Sequence, residues 1–316
     1  MKTSAVIRII LWSMVVVLLT CILAVGLSGG ELLGRPLPFG FSGVGFSGSG
    51  FSYPDAGRYT AGGGSFPADQ VDSIEINWVS GGVTVRSYEG SELAFDETIR
   101  GQVDDSMRMR HYLKDRTLVI QFCAPRQSVF RSANSPVKTL EVLVPESLAA
   151  RMDEAEISVA SASIQVSGIT ADKLEIDSVS GSTDITDTSC RSFELDTVSG
   201  SVRSSGLTAG SAETDSVSGP VQLEGSFGKI QYDTISGSFR AGSAICPERI
   251  EGSSVSGSVH ITIPENDGFT ADYDRVSGDF SSDFPTTGDK GHRVYKDGSA
   301  RFSFDTISGD ISILRG

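Results

Sequence analysis

The chain has 316 residues and a formal charge of −14, from 40 Asp and Glu against 26 Lys and Arg. That length allows one or two domains, and so acidic a surface argues against nucleic acid and against anionic lipid headgroups as partners. The four cysteines, Cys21, Cys123, Cys190 and Cys246, lie far apart with no metal-type spacing, so each reads as a small buried apolar residue.

The first element is an apolar run from Ile9 to Leu27, preceded by Lys2 and Arg8. It is about 19 residues long, enough to cross a hydrocarbon core of about 30 Å as one helix. The basic flank puts the N-terminus in the cytoplasm and the rest outside. Ala24-Val25-Gly26 or Ser28-Gly29-Gly30 would serve as a cleavage site, and Cys21 as a lipidation site. An uncleaved anchor over 1–27 is the favoured reading. All three readings place the remainder outside the cytoplasm, where removing Lys2 and Arg8 takes its charge to −16.

Residues 28–65 are so dense in Gly, Ser and Phe that they read as a flexible tether. Residues 66–150 read as strands and form an N-terminal β cap region. Ser73–Val79 alternates, and Met107–Leu113 joins Thr117–Phe122 through Lys114-Asp115-Arg116 in a hairpin pattern. Lys138–Val144 is a strand stopped by Pro145. Residues 146–156 offer the one plausible helical turn.

From about residue 157 the tripeptide Val/Ile-Ser-Gly recurs, with glycines at 181, 200, 219, 237, 257, 278 and 309. The steps are 19, 19, 18, 20, 21 and 31 residues. A period near 19 is the mark of stacked coils, each too small to bury its apolar side alone. Phe193 and Leu195 share one strand face, Val198 and Val202 another, and a corner at Asp196-Thr197 is expected to turn both pairs inward. The span 151–285 is read as the repeat solenoid. The span 286–316 is read as a C-terminal hairpin, turned at Asp297-Gly298, and a last coil. The expected fold is therefore all-β, a stacked β-solenoid of about 19 residues per coil with β-hairpin caps, preceded by one N-terminal transmembrane helix.

Asp177, Asp196, Asp215, Asp233, Asp274 and Asp305 each stand two residues before a Val/Ile-Ser-Gly, with Ser253 in the remaining register position. Stacking brings them about 4.8 Å apart. The ladder has two readings: turn chemistry with nearby N–H and hydroxyl groups, and a row of weak Ca²⁺ sites. The serines at 180, 199, 218, 236, 256, 277 and 308 form a second ladder, bonded to each other or to backbone.

Ile74-Glu75-Ile76-Asn77-Trp78-Val79-Ser80-Gly81-Gly82-Val83-Thr84-Val85, the hairpin, Leu143-Val144-Pro145, the serial Val-Ser-Gly repeats and the ending Phe304-Asp305-Thr306-Ile307-Ser308-Gly309-Asp310-Ile311 together resemble the DUF4097 "putative adhesin" family. That family includes LiaG-like and YvlB-like bacterial envelope proteins. The resemblance covers roughly 70–316 and implies an extracytoplasmic β fold, with an accessory role beside envelope stress systems. It carries no catalytic or ligand residues.

A catalytic constellation is not legible. His111, His260 and His292 lie in unrelated segments, and no HExxH, Gly-x-Ser-x-Gly or phosphate-binding loop occurs. Ser135-Pro136-Val137-Lys138 matches Ser-x-x-Lys by chance, without its partner motifs. The expected function is a non-catalytic envelope interaction or stress-accessory protein, held in the cell membrane by its N-terminal helix. Its partner is expected to be an envelope protein or wall glycan, with no cofactor. The competing readings are a wall-glycan adhesin and a polysaccharide-active enzyme, the last needing Asp279, Asp283, Asp289 and Asp310 to converge in a groove.

Overall fold

A computed structural model describes residues 45–47, 50–101, 103–125, 127 and 137–316. The expected anchor over 1–27 and the tether up to residue 44 lie outside the described residues. Among the described residues no helix is long and apolar enough to cross a membrane.

The fold is all-β. One large sheet winds through successive tiers, and tiers stack by parallel pairing. The tier centred on Ser189–Thr197 shows why the sequence does this. Phe193, Leu195 and Thr197 point into the core, and Glu194 and Asp196 point out. After a corner, Ser201–Ser205 presents Val202 and Ser204 inward. A second corner at Gly206, with φ of +72°, leads to Leu207–Ser216, which opens with the inward Leu207 and Ala209. Ladder pairing lapses at Gly210 and resumes at Ser211, so each tier has two longer sides and one short one. The interior is a continuous apolar column, including Leu174, Phe193, Ala212 and Ile230 in register. Burying each large side chain contributes roughly 1.5–3 kcal/mol.

The corner differs from the expected one. The inward alternation runs on through Thr197, and the chain turns at Val198-Ser199-Gly200, not at Asp196-Thr197. Val198 is only half-buried, while Gly200 takes the inward position. Glycine is required there because a Cβ on Gly200 would lie 2.6 Å from the Gly181 carbonyl oxygen of the tier below. At Gly219 and Gly257 the same contact would be 1.8 and 1.7 Å. The buried hydroxyls of Ser216, Thr234 and Ser254 donate across the corner to the carbonyls of Gly219, Gly237 and Gly257, at 2.8, 3.1 and 2.6 Å.

The solenoid also begins earlier than expected. Ser73–Tyr88 pairs along its length with Met152–Ser167 and is a full tier. Thr117–Gln121 and Lys138–Pro145 together form another tier on its far side. The span 66–150 therefore holds two tiers plus antiparallel cap strands, of which Arg110–Lys114 forms the expected hairpin with Thr117–Gln121. Asp115 and Arg116 turn it at φ of 48° and 70°. The domain reaches back into the expected tether: Tyr53 is buried, Thr60–Ala61 pairs with the hairpin, and Gly64–Pro67 pairs with Glu92–Ile99. The helical turn is confined to Glu146–Ala149.

At the C-terminal end the chain order is broken. Arg249–Ser254 pairs with Ala300–Thr306, and Ala300–Thr306 pairs with Gly268–Arg275. The last tier in sequence is thus inserted beneath the one before it. His292–Lys296 pairs antiparallel with Gly268–Arg275 instead of forming a hairpin with Ala300–Thr306. Composition explains the choice. Phe302 and Phe304, each 1% exposed, need tiers on both sides. His292, Arg293 and Lys296 suit a charged edge strand that discourages further pairing.

Candidate functional site: an acidic face with an apolar border

The outward side chains of the longer side that precedes each corner form columns along the stack. One column runs Ser158, Asp177, Asp196, Asp215, Asp233, Ser253, Asp305, Asp274. The predicted aspartates are therefore in register, with Asp305 ahead of Asp274 because of the inserted tier. Two residues earlier runs a column the sequence reading missed: Glu75, Glu156, Glu175, Glu194, Glu213, Gln231, Glu251. The i, i+2 rule of a strand was the signal that would have found it.

Crowding and partial burial act on these carboxyls together. Burial, then the neighbouring Asp196, pushes Asp177 up to about 7, and burial followed by Asp196 and Asp233 does the same to Asp215. Asp196 is raised to about 6 by burial and by Glu175, Glu213 and Glu194. Glu156 is raised to about 8 by burial, with Glu75 and Glu175 adding repulsion. Relief is local. Ser158 donates to Asp177 at 3.0 Å, and Lys173 lies 2.6 and 2.8 Å from Glu175 and Glu194. The oxygens Glu156 Oε1 and Asp215 Oδ1 are buried and accept no hydrogen bond. The Ser or Thr that follows Asp177, Asp196, Asp215, Asp233 and Asp305 faces inward, and serves the corner instead of the carboxylate, whereas Asp274 is followed by Arg275.

The ladder offers one carboxylate per tier, about 4.8 Å apart, whereas Ca²⁺ takes six to eight oxygens. Among the described residues no group of three or more His, Cys, Asp or Glu is disposed to hold a metal ion.

The next outward position after each Asp is the Val or Ile of the repeat. Backbone N–H groups of Val198, Val217, Ile235, Val255, Ile307 and Val276 bond to the adjacent tier at 3.0–3.2 Å and fix them in that order above Val179. They form an apolar stripe at the solvent-facing corner, bordering the acid columns. Val179 is 40% exposed, Val276 is 80%, and those between are half-buried. The serines beside them are spent on architecture. Ser199, Ser218 and Ser256 donate hydroxyl bonds to carbonyls of the adjacent tier at 3.1–3.2 Å.

The remaining chemistry-bearing residues do not converge. His111 meets the Gly62 carbonyl at 2.9 Å, and burial lowers its pKa. His292 pairs with Asp272 at 2.6 Å at the far end. His260 is lowered by burial and then by Arg240. Asp310 accepts the Asp279 N–H at 2.8 Å, Asp283 accepts the Arg315 N–H at 3.1 Å, and Asp289 sits in the loop before His292. Cys123 and Cys190 are buried free thiols, each pushed up to about 12 by burial, and Cys246 is a partly buried free thiol.

Lys138 is fully buried. It pairs with Glu97 at 2.8 Å, donates to the Met107 and Phe122 carbonyls, and lies 4.0 and 4.8 Å from the Phe122 and Trp78 rings. Burial lowers its pKa, while Glu97 pulls the other way. The amine lies at the N-terminal end of the core with no exposed side-chain surface. Ser135, its partner in the Ser-x-x-Lys match, lies outside the described residues. A shallow groove of about 530 Å³ beside Val137 is lined by Thr84, Thr98, Thr139, Ser163, Gln165 and Arg100.

The family model described as Toastrack DUF4097 matches residues 71–314, and the chain belongs to that family. Among solved structures, the chain is similar to the three that follow, and the first shares its fold. A "putative lipid binding protein" from Parabacteroides distasonis is 14% identical, with a TM-score of 0.50, covering 80% of this chain and 96% of that one. A "putative adhesin" from Bacteroides fragilis is 11% identical, with a TM-score of 0.47 and the same coverage. One from Parabacteroides merdae is 10% identical, at 0.46, covering 82% and 97%. No curated protein resembles the chain closely enough to count as a relative.

Proposed function

We propose that this protein is a non-catalytic, membrane-tethered interaction protein of the bacterial envelope, with its solenoid displayed outside the cytoplasm. The observation that carries the reading is the acidic face: carboxylate columns held in register by ladder hydrogen bonds, beside histidines and acids that do not converge. A rigid surface of one sign favours recognition of a partner over bond-making. The apolar run Ile9–Leu27 behind a basic flank supports the tether.

In-cell crosslinking of the tagged full chain tests it, with a chain lacking 66–316 as control. Capture of a specific envelope protein by the full chain alone supports the reading. Recovery of wall polymer without protein favours the glycan-binding alternative, for which the polar groove lined by Thr84, Thr139 and Arg100 is the place to look.

A further inference from the structure

We propose that the Val/Ile stripe and its acid columns seat an amphipathic helix of a partner protein, one whose apolar seam is flanked by Lys or Arg. This deepens the interaction reading and rests on it. The repeat places a β-branched side chain at a solvent-facing position on every tier from Val179 to Val276, where a soluble surface gains nothing from one. The inward corner position is already filled by Gly200 and its equivalents, so these side chains have no core role to satisfy.

Spacing selects the occupant. Stripe residues rise about 4.8 Å per tier. An α-helix lying along the stack brings one apolar side chain per turn, about every 5.4 Å. An extended strand returns a side chain to the same face only every 6.6–6.8 Å or so, which falls out of step within two tiers, whereas the helix keeps step for about four. The stripe is about 29 Å long by the same spacing, and a helix of about 20 residues covers 30 Å. Recognition of this kind sets an apolar helix face against an apolar surface.

Charge selects the flank. Asp177, Asp196, Asp215 and Asp233 adjoin the stripe, with Glu175, Glu194 and Glu213 behind them. On the acid side the basic residues Lys173, Lys229 and Arg249 stand in a column two positions further away, while Arg275 adjoins Val276 at the end of the stripe and Arg203 and Arg240 lie past the corner on the next side. A cationic flank laid on the acid side between Val179 and Val255 therefore meets carboxylates before it meets a cation. A second copy of this chain would bring like charge to the face, and so would an anionic membrane surface.

The test uses the full chain in phosphatidylcholine nanodiscs, with empty discs subtracted. The probe is a fluorescent 20-residue helical peptide with a leucine seam flanked by lysines. Its counterpart carries glutamates in place of the lysines. Two variants break the two halves of the site separately: Val198→Ser/Val217→Ser/Ile235→Ser, and Asp196→Asn/Asp215→Asn. The lysine peptide is expected to bind, to lose tenfold or more in affinity with each variant, and to weaken with salt, while the glutamate peptide does not bind. Equal binding of the two peptides, an unchanged affinity in the valine variant, or no binding by the lysine peptide overturns the helix seat. Stripe-dependent attachment to phosphatidylglycerol discs overturns it in favour of a lipid surface. The amide variant leaves the backbone untouched and keeps the test open if the serine variant unfolds. The interaction reading is judged apart, because the crosslinking experiment requires no particular helix.

Discussion

The middle of the solenoid and its two ends are built by different rules. Between Thr170 and Ser254 the tiers follow chain order, each pairing with the next by the same register. At both ends the order is broken. The first tier in sequence, Ser73–Tyr88, lies inside the one formed by Thr117–Gln121 and Lys138–Pro145. The last, Ala300–Thr306, lies inside Gly268–Arg275. The middle depends on identical local choices repeated, glycine and hydroxyl at every corner. The ends depend on particular residues that close an open core, Lys138 with Trp78 and Glu97 at one end, Phe269, Phe284 and Tyr295 at the other. Terminal strands threaded between two tiers cannot fray one residue at a time, as free termini do.

The sharpest way to break the middle is a methyl group. Gly257→Ala puts a Cβ 1.7 Å from the Gly237 carbonyl oxygen, and is expected to cost 3 kcal/mol or so and lower Tm by about 10 °C. Gly57→Ala, with nothing within 4 Å, is its neutral control. Equal melting curves for the two would show that tiers separate easily at the corner. At the N-terminal end, Lys138→Met leaves the Glu97 carboxylate buried without its cation, at an expected cost of about 3–5 kcal/mol. Hydrogen exchange should then show protection lost across 53–145 and kept across 189–254. Uniform loss would mean that the two regions unfold as one.

The acid columns predict an unusual pH response. Asp177, Asp196 and Asp215 have folded pKa values of about 7, 6 and 7, above the unfolded value near 3.9. The native state therefore holds protons that the unfolded chain releases. Their contribution is full below about pH 4 and is lost as pH rises through 6–7. Tm should climb by on the order of 5 °C between pH 8 and pH 5. Asp196→Asn/Asp215→Asn should flatten that slope and raise Tm at pH 8. A Tm that falls on acidification over this range would refute the crowding argument. The smallest effect belongs to Ser199→Ala, at about 0.5 kcal/mol. The Val179 carbonyl that loses the hydroxyl still accepts the Ser199 N–H at 3.0 Å, and a loss several times larger would place the hydroxyl among the main supports of the stack.

The Asp ladder was legible because a fixed period forces equivalent residues into one column. The Glu column carried the same information two residues away, and was hidden because Gln231 and Ser303 interrupt it. The border stripe was misread for a physical reason. Valine in a repeat reads as core, and parity alone does not say where a strand turns. Phe193, Leu195 and Thr197 alternate inward without interruption, but a threonine at a core position looks polar until its buried neighbours are seen.

The sequence by itself determined the period, the all-β class, the family and the residues that share a column. Each of these follows from local spacing and from the inability of a 19-residue unit to bury its own apolar side. Tertiary structure alone decided which tier lies next to which at the ends, and which side of the corner faces water. Both are settled by non-local burial: Phe302 and Phe304 gain more between two tiers than at an edge, and Gly200 takes the inward position because only a residue without a Cβ clears the carbonyl of the tier below.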